Sequence, residues 1–155
     1  MNGPQLISFI KSNPSLQIWI REKPEVLEKS DIENVLGRKD LAGEYLDLLS
    51  VIDQLEVLGP AGLIHFHTFE EVQLTNDDPA YTSYLPFIFF FADDAGGRFY
   101  AFDPENQWGR GKNAIFIIPM GSLDKASARF LGTNLEELLV QLKAEKNFSK
   151  YPKIE

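Results

Sequence analysis

The only two histidines of the chain lie beside a pair of glutamates, and these four side chains are the first that could do chemistry. His65 and His67 are followed closely by Glu70 and Glu71. Two imidazoles and a carboxylate can hold zinc, which takes nitrogen and oxygen ligands. The same spacing is that of the outer face of a half-exposed strand, on which alternate residues point to one side. The sequence defines no third ligand, so we expect no metal here.

Two glycine-containing segments match ion-binding loops only in part. Residues 93–97 (DDAGG) place two aspartates side by side, whereas an EF-hand calcium loop needs carboxylates at alternate positions. Residues 109–113 (GRGKN) lack both the earlier glycine and the Ser or Thr that a phosphate-binding loop requires. We predict that both segments are turns without a cofactor. The carboxylates of Asp93 and Asp94 remain available to a partner.

The sequence contains no recognisable catalytic group. It has no cysteine, which excludes disulfides, thiolate metal sites and cysteine nucleophiles. It also lacks the Gly-x-Ser-x-Gly turn of serine hydrolases. Carboxylates are numerous, but sequence alone cannot place two of them across a cleft. We therefore expect no enzymatic activity, and a small hydrolase that uses acidic residues stays an alternative.

Negative charge is concentrated in the middle of the chain. The protein has a net charge of −8, and residues 63–105 alone carry −7, with Arg98 as their only basic residue. Binding to nucleic acid needs a basic face, so it is not expected. A basic protein partner is favoured, although the acidity can also serve only to keep the protein in solution. The candidate partner-binding carboxylates are Glu70, Glu71, Asp77, Asp78, Asp93 and Asp94.

Two aromatic residues complete the candidate binding set, because buried aromatic anchors dominate many interfaces. Tyr100 lies on a predicted strand, and Trp108 lies in a glycine-flanked loop. Trp108 has a second interpretation as a lid over the core, and this interpretation is favoured. A small-molecule or peptide sensor with an aromatic-lined cleft is a further alternative.

Helical spacing of apolar residues predicts several helices in the first third of the chain. A first helix carries Leu6, and Pro14 is expected to begin a second helix that carries Trp19. Ser30 and Glu33 have the spacing of a capping box at the start of a third. A longer helix is predicted to begin at Asp40 and to continue to the break at residues 59–62.

Strand patterns dominate the middle of the chain. Residues 63–69 alternate, 72–74 continue them, and 76–84 are expected to form a polar loop. The run at 87–92 is apolar throughout, which predicts a strand covered on both faces. Further strands are predicted at 99–102, where the chain returns from the turn as a hairpin, and at 114–118. Thr133 and Glu136 then have the spacing of a capping box before a closing amphipathic helix. The order predicts one α+β domain with a mostly antiparallel sheet.

The chain is expected to be cytoplasmic. Its N-terminus has no basic region followed by an apolar run, so we expect no signal peptide. No apolar run approaches about 18 residues, so no membrane span is expected. Residues 146–155 are predicted to be a loose, basic tail that folding does not need. The oligomeric state is open.

Three segments, at residues 30–51, 91–103 and 114–119, together resemble the SUKH superfamily, which includes the Smi/Knr regulators of cell-wall synthesis and bacterial immunity proteins. Residues 30–51 (SDIENVLGRKDLAGEYLDLLSV) are similar to its opening helix pair, although Leu41-Ala42 stands where Leu-Pro is usual. Residues 91–103 (FADDAGGRFYAFD) are similar to its signature hairpin, and residues 114–119 (AIFIIP) precede its closing helix. The resemblance covers residues 30–142 and leaves 1–29 as additional N-terminal helices.

The resemblance implies a mixed sheet packed against helices, no cofactor and no enzyme activity. It also implies binding to another protein, which in bacteria is typically a toxin domain that the immunity protein neutralises. A regulatory role of the Smi/Knr kind is the other implied function. Fold alone does not decide between them.

Overall fold

A seven-stranded antiparallel sheet forms the centre of the molecule. The computed structural model describes residues 3–144. The strands lie in the sheet in the same order as in the sequence, and each pairs antiparallel with the next. They are β1 (Gln17–Glu22), β2 (Ile52–Gly59), β3 (Gly62–Phe66), β4 (Phe89–Asp93), β5 (Arg98–Asp103), β6 (Ala114–Pro119) and β7 (Arg129–Gly132).

Within residues 3–144, six α-helices accompany the sheet, and none of them is long and apolar enough to cross a bilayer. The helices are α1 (Gly3–Lys11), α2 (Lys29–Leu36), α3 (Gly43–Val51), α4 (Phe69–Asp77), α5 (Pro79–Thr82) and α6 (Leu135–Lys143). A short 3-10 helix covers Lys125–Ser127. The predicted single α+β domain with a closing C-terminal helix is confirmed.

Two apolar clusters lie on opposite faces of the sheet. The larger cluster joins α1, α2, α3 and α6 to one face and includes Phe89 and Phe91. The smaller cluster includes Phe90, which alternates with them along β4 and so points to the other side. Its remaining members come from β5–β7 and from the segments that follow α4, β5 and β6, and none comes from β1–β3. The described residues therefore cover one half of the sheet on both faces and the other half on one face.

The strands predicted at 99–102 and 114–118 are β5 and β6, whereas the strand predicted at 87–92 begins only at Phe89 and the one predicted at 63–69 ends at Phe66. Residues 89–92 of β4 are buried, and β4 lies between β3 and β5. The turn after β4 returns the chain as β5, which confirms the predicted hairpin. In α6, the four leucines spaced at three and four residues are all buried. Long apolar runs and strict periodicity thus determined these elements.

The predicted second helix after Pro14 is wrong, because this segment forms β1. The Asn13 side chain accepts hydrogen bonds from the backbone N–H and the hydroxyl of Ser15, which turns the chain after α1. The following residues then pair with β2, with Trp19 opposite Glu56. The segment before residue 30 therefore contains one helix and one strand instead of helices alone. Apolar residues at 16, 19 and 20 fit a helix, but pairing with β2 decides the structure.

The longer helix predicted from Asp40 is also wrong at both ends. The helix begins at Gly43 and ends at Val51, after which β2 continues with Leu55 and Val57 buried. Asp40 does not cap it, because its carboxylate accepts two hydrogen bonds from the Arg38 guanidinium at 3.0 and 2.8 Å. β-branched residues near the boundary favour the change to strand.

The expected short strand at 72–74 is part of α4. A capping box begins this helix: the Thr68 hydroxyl accepts from the Glu71 N–H, and the Glu71 carboxylate accepts from the Thr68 N–H. The polar loop expected at 76–84 contains α5, and β7 was not foreseen at all.

The two predicted capping boxes are displaced. At α2 the residue before the helix is Glu28, and its side chain makes no capping bond. At α6 the cap is Asn134, which accepts from the Glu137 N–H at 2.8 Å. The predicted loose tail at 146–155 lies outside the described residues.

Candidate functional site

His65 lies between two carboxylates on the sheet. Its Nε2 atom is 3.3 Å from Glu71 Oε2, and its Nδ1 atom is 3.0 Å from Glu56 Oε1, though not in hydrogen-bonding geometry. Burial alone would raise the pKa of Glu71, but the bond from the Thr68 N–H and the contact with His65 hold that pKa below its usual range. Glu71 therefore binds two neighbours of its own chain.

His67 is buried, which corrects the expectation that both histidines lie on an outer strand face. It follows the end of β3, and its Nε2 atom is 2.9 Å from Asp93 Oδ2. Its ring also approaches that of Phe99, a member of the smaller apolar cluster. Within residues 3–144, no group of three or more His, Asp or Glu side chains is arranged to hold a metal ion.

Asp94 stabilises the turn between β4 and β5. Its Oδ1 atom accepts from the N–H groups of Gly96 and Arg98, and its Oδ2 atom accepts from Arg98 Nε at 2.6 Å. Burial alone would raise the pKa of Asp94, but the Arg98 side chain and these backbone bonds outweigh it and hold the pKa below its usual range. This carboxylate is occupied by its own turn.

The six predicted acidic residues therefore separate into two kinds. Asp78 caps α5 by accepting from the Ala80 N–H, so four of the six bind their own chain. The other two, Glu70 and Asp77, are exposed near opposite ends of α4. Asp77 also lines a cavity of about 200 Å³ beside α2 and α4.

Tyr100 and Trp108 are buried, so neither offers its side chain to a partner. The Tyr100 hydroxyl donates to the Leu63 carbonyl at 2.8 Å, and burial raises the pKa of Tyr100. Trp108 is 8% exposed and packs edge-on against Phe87 and Phe116. The burial of Trp108 agrees with its interpretation as a lid over the core, and neither side chain is exposed as a candidate anchor in this structure.

The half of the sheet that is covered on one face exposes a different tryptophan. Trp19, Glu56, His65 and Asp93 lie opposite one another across β1, β2, β3 and β4. Trp19 is 53% exposed. We call this surface the open sheet face; its residues are Gln17, Trp19, Arg21, Gln54, Glu56, Leu58, Leu63 and His65.

A cavity of about 360 Å³ lies on the open sheet face. Trp19, Arg21, Gln54, Glu56 and His65 line it. The Arg21 guanidinium is paired with Asp53, with Nη2 2.6 Å from Oδ2. Because that pair is neutral, Glu56 gives the cavity an acidic character, and Glu71 extends it beyond His65.

Sequence reasoning missed Trp19 because it placed this residue on a helix. A signal was present: residues 17–21 (QIWIR) alternate between isoleucine and other residues, with Trp19 on the side of Gln17 and Arg21. In a strand this alternation places the tryptophan away from the core.

One half-buried carboxyl group has a raised pKa, which is the property a catalytic acid would need. Burial raises the pKa of Glu44, and its Oε1 atom accepts from the Leu135 N–H at 2.6 Å. Glu44 thus binds the first residue of α6. A third cavity, of about 500 Å³, is lined by Phe130 of β7 and by Val140 of α6 among other residues.

No protein-family model matches this sequence, and no curated protein is significantly similar to it.

Proposed function

We propose that this protein is a non-enzymatic binding module that recognises a basic protein through its open sheet face. The observation that carries the proposal is Trp19, which is exposed on the open sheet face directly opposite Glu56. Large aromatic side chains that project from a rigid surface are frequent energetic centres of protein interfaces. A strand places them more rigidly than a loop does.

The electrostatics of the surface support a basic partner. The face carries Glu56, its rim carries Glu71, and the one arginine on it is neutralised by Asp53. Opposite charge steers a partner toward such a surface and raises the association rate. Of the acidic set predicted from the sequence, Glu71 lies at the rim of this face, where it contacts His65; Asp78 and Asp94 instead stabilise the start of α5 and the turn after β4.

The sequence resemblance supports the same class of function. Residues 30–51 cover α3 and all but the first residue of α2, and residues 91–103 cover the end of β4, the turn and β5, in the order that the SUKH resemblance implies. We therefore propose an immunity-type role in the cytoplasm, in which the protein neutralises a basic toxin domain, or a Smi/Knr-like regulatory role. The resemblance contributes the class of partner, and the open sheet face contributes the location.

Co-expression tests the immunity role. The open reading frames beside the gene for this chain are searched for a toxin domain, which is expressed with the wild-type protein or with Trp19→Ala while bacterial growth is followed. We expect the wild type to restore growth and Trp19→Ala to fail, while Val140→Ala, which truncates another exposed apolar residue, retains protection. Circular dichroism establishes that each variant is folded.

The same proteins are then compared by titration calorimetry. Trp19→Ala is expected to weaken binding by about 2 kcal/mol, the threshold for an interface hot spot. Growth restored equally by all three proteins would move the interface away from this face. Toxin hydrolysis in the presence of the wild type would contradict a non-enzymatic mechanism and favour the acidic-residue hydrolase.

A further inference from the structure

We propose that the cavity beside Trp19 is an arginine-binding site that takes a single guanidinium group of the partner. This inference rests on the proposed function and names the side chain that the open sheet face recognises. The cavity volume of about 360 Å³ falls within the range of about 300–1,000 Å³ that is typical of small-ligand pockets.

The first element of the site is the indole of Trp19. Tryptophan has the strongest attraction for cations among the aromatic side chains, and arginine can also stack flat upon its ring. The ring is half exposed and lines the cavity, so its surface is accessible to a ligand. The other tryptophan, Trp108, is buried on the covered half of the sheet and cannot contribute.

The second element is the carboxylate of Glu56. Glu56 is paired with Trp19 across β1 and β2, and such neighbours have Cβ atoms about 5 Å apart. A guanidinium that stacks on the indole therefore lies within reach of the carboxylate. Guanidinium and carboxylate groups form two parallel hydrogen bonds, which an ammonium group cannot reproduce. This geometry favours arginine over lysine.

Glu56 has no hydrogen-bond partner among the described residues, and its close contact, with His65, involves only its Oε1 atom. The cationic residue of the same face, Arg21, is already engaged by Asp53 at 2.8 Å from its Nε atom. His65 approaches Glu56 Oε1 through Nδ1 and is itself held on its other side by Glu71. We assign His65 a positioning role, in which it restricts the Glu56 side chain.

Nuclear magnetic resonance of the free protein tests the site directly. The ¹⁵N-labelled chain has two indole N–H signals, from Trp19 and Trp108. It is titrated at constant ionic strength with Nα-acetyl-arginine amide and, separately, with Nα-acetyl-lysine amide, whose side-chain ammonium group is free. We expect the Trp19 signal to shift saturably with arginine while the Trp108 signal stays in place. The lysine compound is expected to bind about two- to fivefold more weakly.

Variants assign the two elements of the site. Glu56→Gln is expected to weaken arginine binding about threefold or more, and Trp19→Phe about two- to fivefold. Glu136→Gln is the matched control, because it removes one exposed carboxylate from α6. No saturable shift of Trp19, equal binding of lysine, or an unchanged affinity in Glu56→Gln would overturn the inference.

The outcomes separate this inference from the proposed function. If Trp19→Ala abolishes toxin binding but the arginine probe does not bind wild type, the arginine site is wrong and the binding module stands. If the probe binds but Trp19→Ala leaves the affinity for the toxin unchanged, the proposed function is wrong for this face. Sedimentation of the free protein supplies a further test. Self-association that Trp19→Ala abolishes would make a second copy the occupant and would overturn the arginine site.

Discussion

The side-chain amide of Asn76 pairs with the backbone of Phe90 as a neighbouring strand would. Its Nδ2 group donates to the Phe90 carbonyl at 2.8 Å, and its Oδ1 atom accepts from the Phe90 N–H at 2.9 Å. The paired residues of β3 and β4 run only from His65 opposite Asp93 to Phe66 opposite Ala92, so the first residues of β4 have no strand beside them there. One side chain of α4 therefore completes the sheet.

Replacing Asn76 tests this substitute for a strand. Asn76→Ala leaves the buried N–H and carbonyl groups of Phe90 without their partner, and we expect a loss of about 2–3 kcal/mol in the free energy of unfolding. Urea unfolding measures it. Asn34→Ala, on the exposed side of α2, is the control and should stay within about 0.5 kcal/mol. Equal stability of both variants would show that the Asn76 bonds contribute nothing.

Asp103 should stabilise the loop that carries Trp108 about as strongly as Asn76 stabilises β4. It is fully buried at the end of β5, and its carboxylate accepts from the N–H groups of Gln107 and Trp108 at 3.0 and 2.8 Å. Asp103→Ala removes both acceptors, so we expect a loss of about 3 kcal/mol. In a Trp19→Phe background, Trp108 is the only tryptophan, and its emission should move to longer wavelength as the indole becomes hydrated.

Glu105→Ala is the matched control for this loop, because Glu105 is exposed and bonds only the Gln107 side chain among the described residues. Its emission and stability should remain those of the parent. An unchanged emission maximum in Asp103→Ala would mean that packing on Phe87 and Phe116 holds Trp108 without the carboxylate.

Removal of the hydroxyl group should change the free energy of unfolding in opposite directions at Tyr45 and Tyr100, which are both buried. The Tyr45 hydroxyl has no hydrogen-bond partner among the described residues, whereas that of Tyr100 donates to Leu63. Tyr45 packs edge-on against Phe89, Phe91 and Phe102, contacts that phenylalanine preserves. We therefore expect Tyr45→Phe to raise the free energy of unfolding by about 1 kcal/mol and Tyr100→Phe to lower it by about 1 kcal/mol.

Thermal and urea unfolding of the two variants measure the difference. Destabilisation of Tyr45→Phe to the same extent as Tyr100→Phe would show that the Tyr45 hydroxyl is satisfied in solution.

The sequence predicted the elements that local pattern determines. The apolar run before Asp93, the turn after it and the leucine periodicity of α6 each permit one interpretation. The segment around Trp19 permits two, because apolar residues at 16, 19 and 20 fit a helix while the alternation at 17–21 fits a strand. Pairing with β2 decides between them, and that contact is distant in sequence.

In the candidate site too, local pattern was predictable from the sequence and distant contacts were not. Sequence correctly located the negative charge, but it could not show which carboxylates are occupied by their own chain. Asp94 and Glu71 accept backbone hydrogen bonds that exist only in the folded turn and helix start. Burial of Tyr100 likewise depends on the position of β5 in the middle of the sheet, which the residue type does not reveal.

The last prediction compares two carboxylates from the acidic set predicted from sequence, one that is bonded to its own chain and one that is exposed. Asp94→Asn and Glu70→Gln each remove one negative charge, but Asp94 is bonded to Arg98 and Glu70 is exposed. At neutral pH, we expect Asp94→Asn to lose about 1–2 kcal/mol of stability, because bonds to a charged group are lost. Glu70→Gln should stay within about 0.5 kcal/mol of wild type.

The pH dependence follows from the lowered pKa of Asp94. A carboxyl group with a lower pKa in the folded state adds stability above its unfolded pKa of about 3.9 and loses it as the pH falls through the folded value. Wild type should therefore approach Asp94→Asn in stability as the pH falls below about 4, while Glu70→Gln follows wild type throughout. Urea unfolding at pH 7, 5, 4 and 3 measures both series. A stability difference for Asp94→Asn that persists unchanged at pH 3 would mean that the amide disturbs the turn sterically and that the charge of Asp94 does not stabilise it.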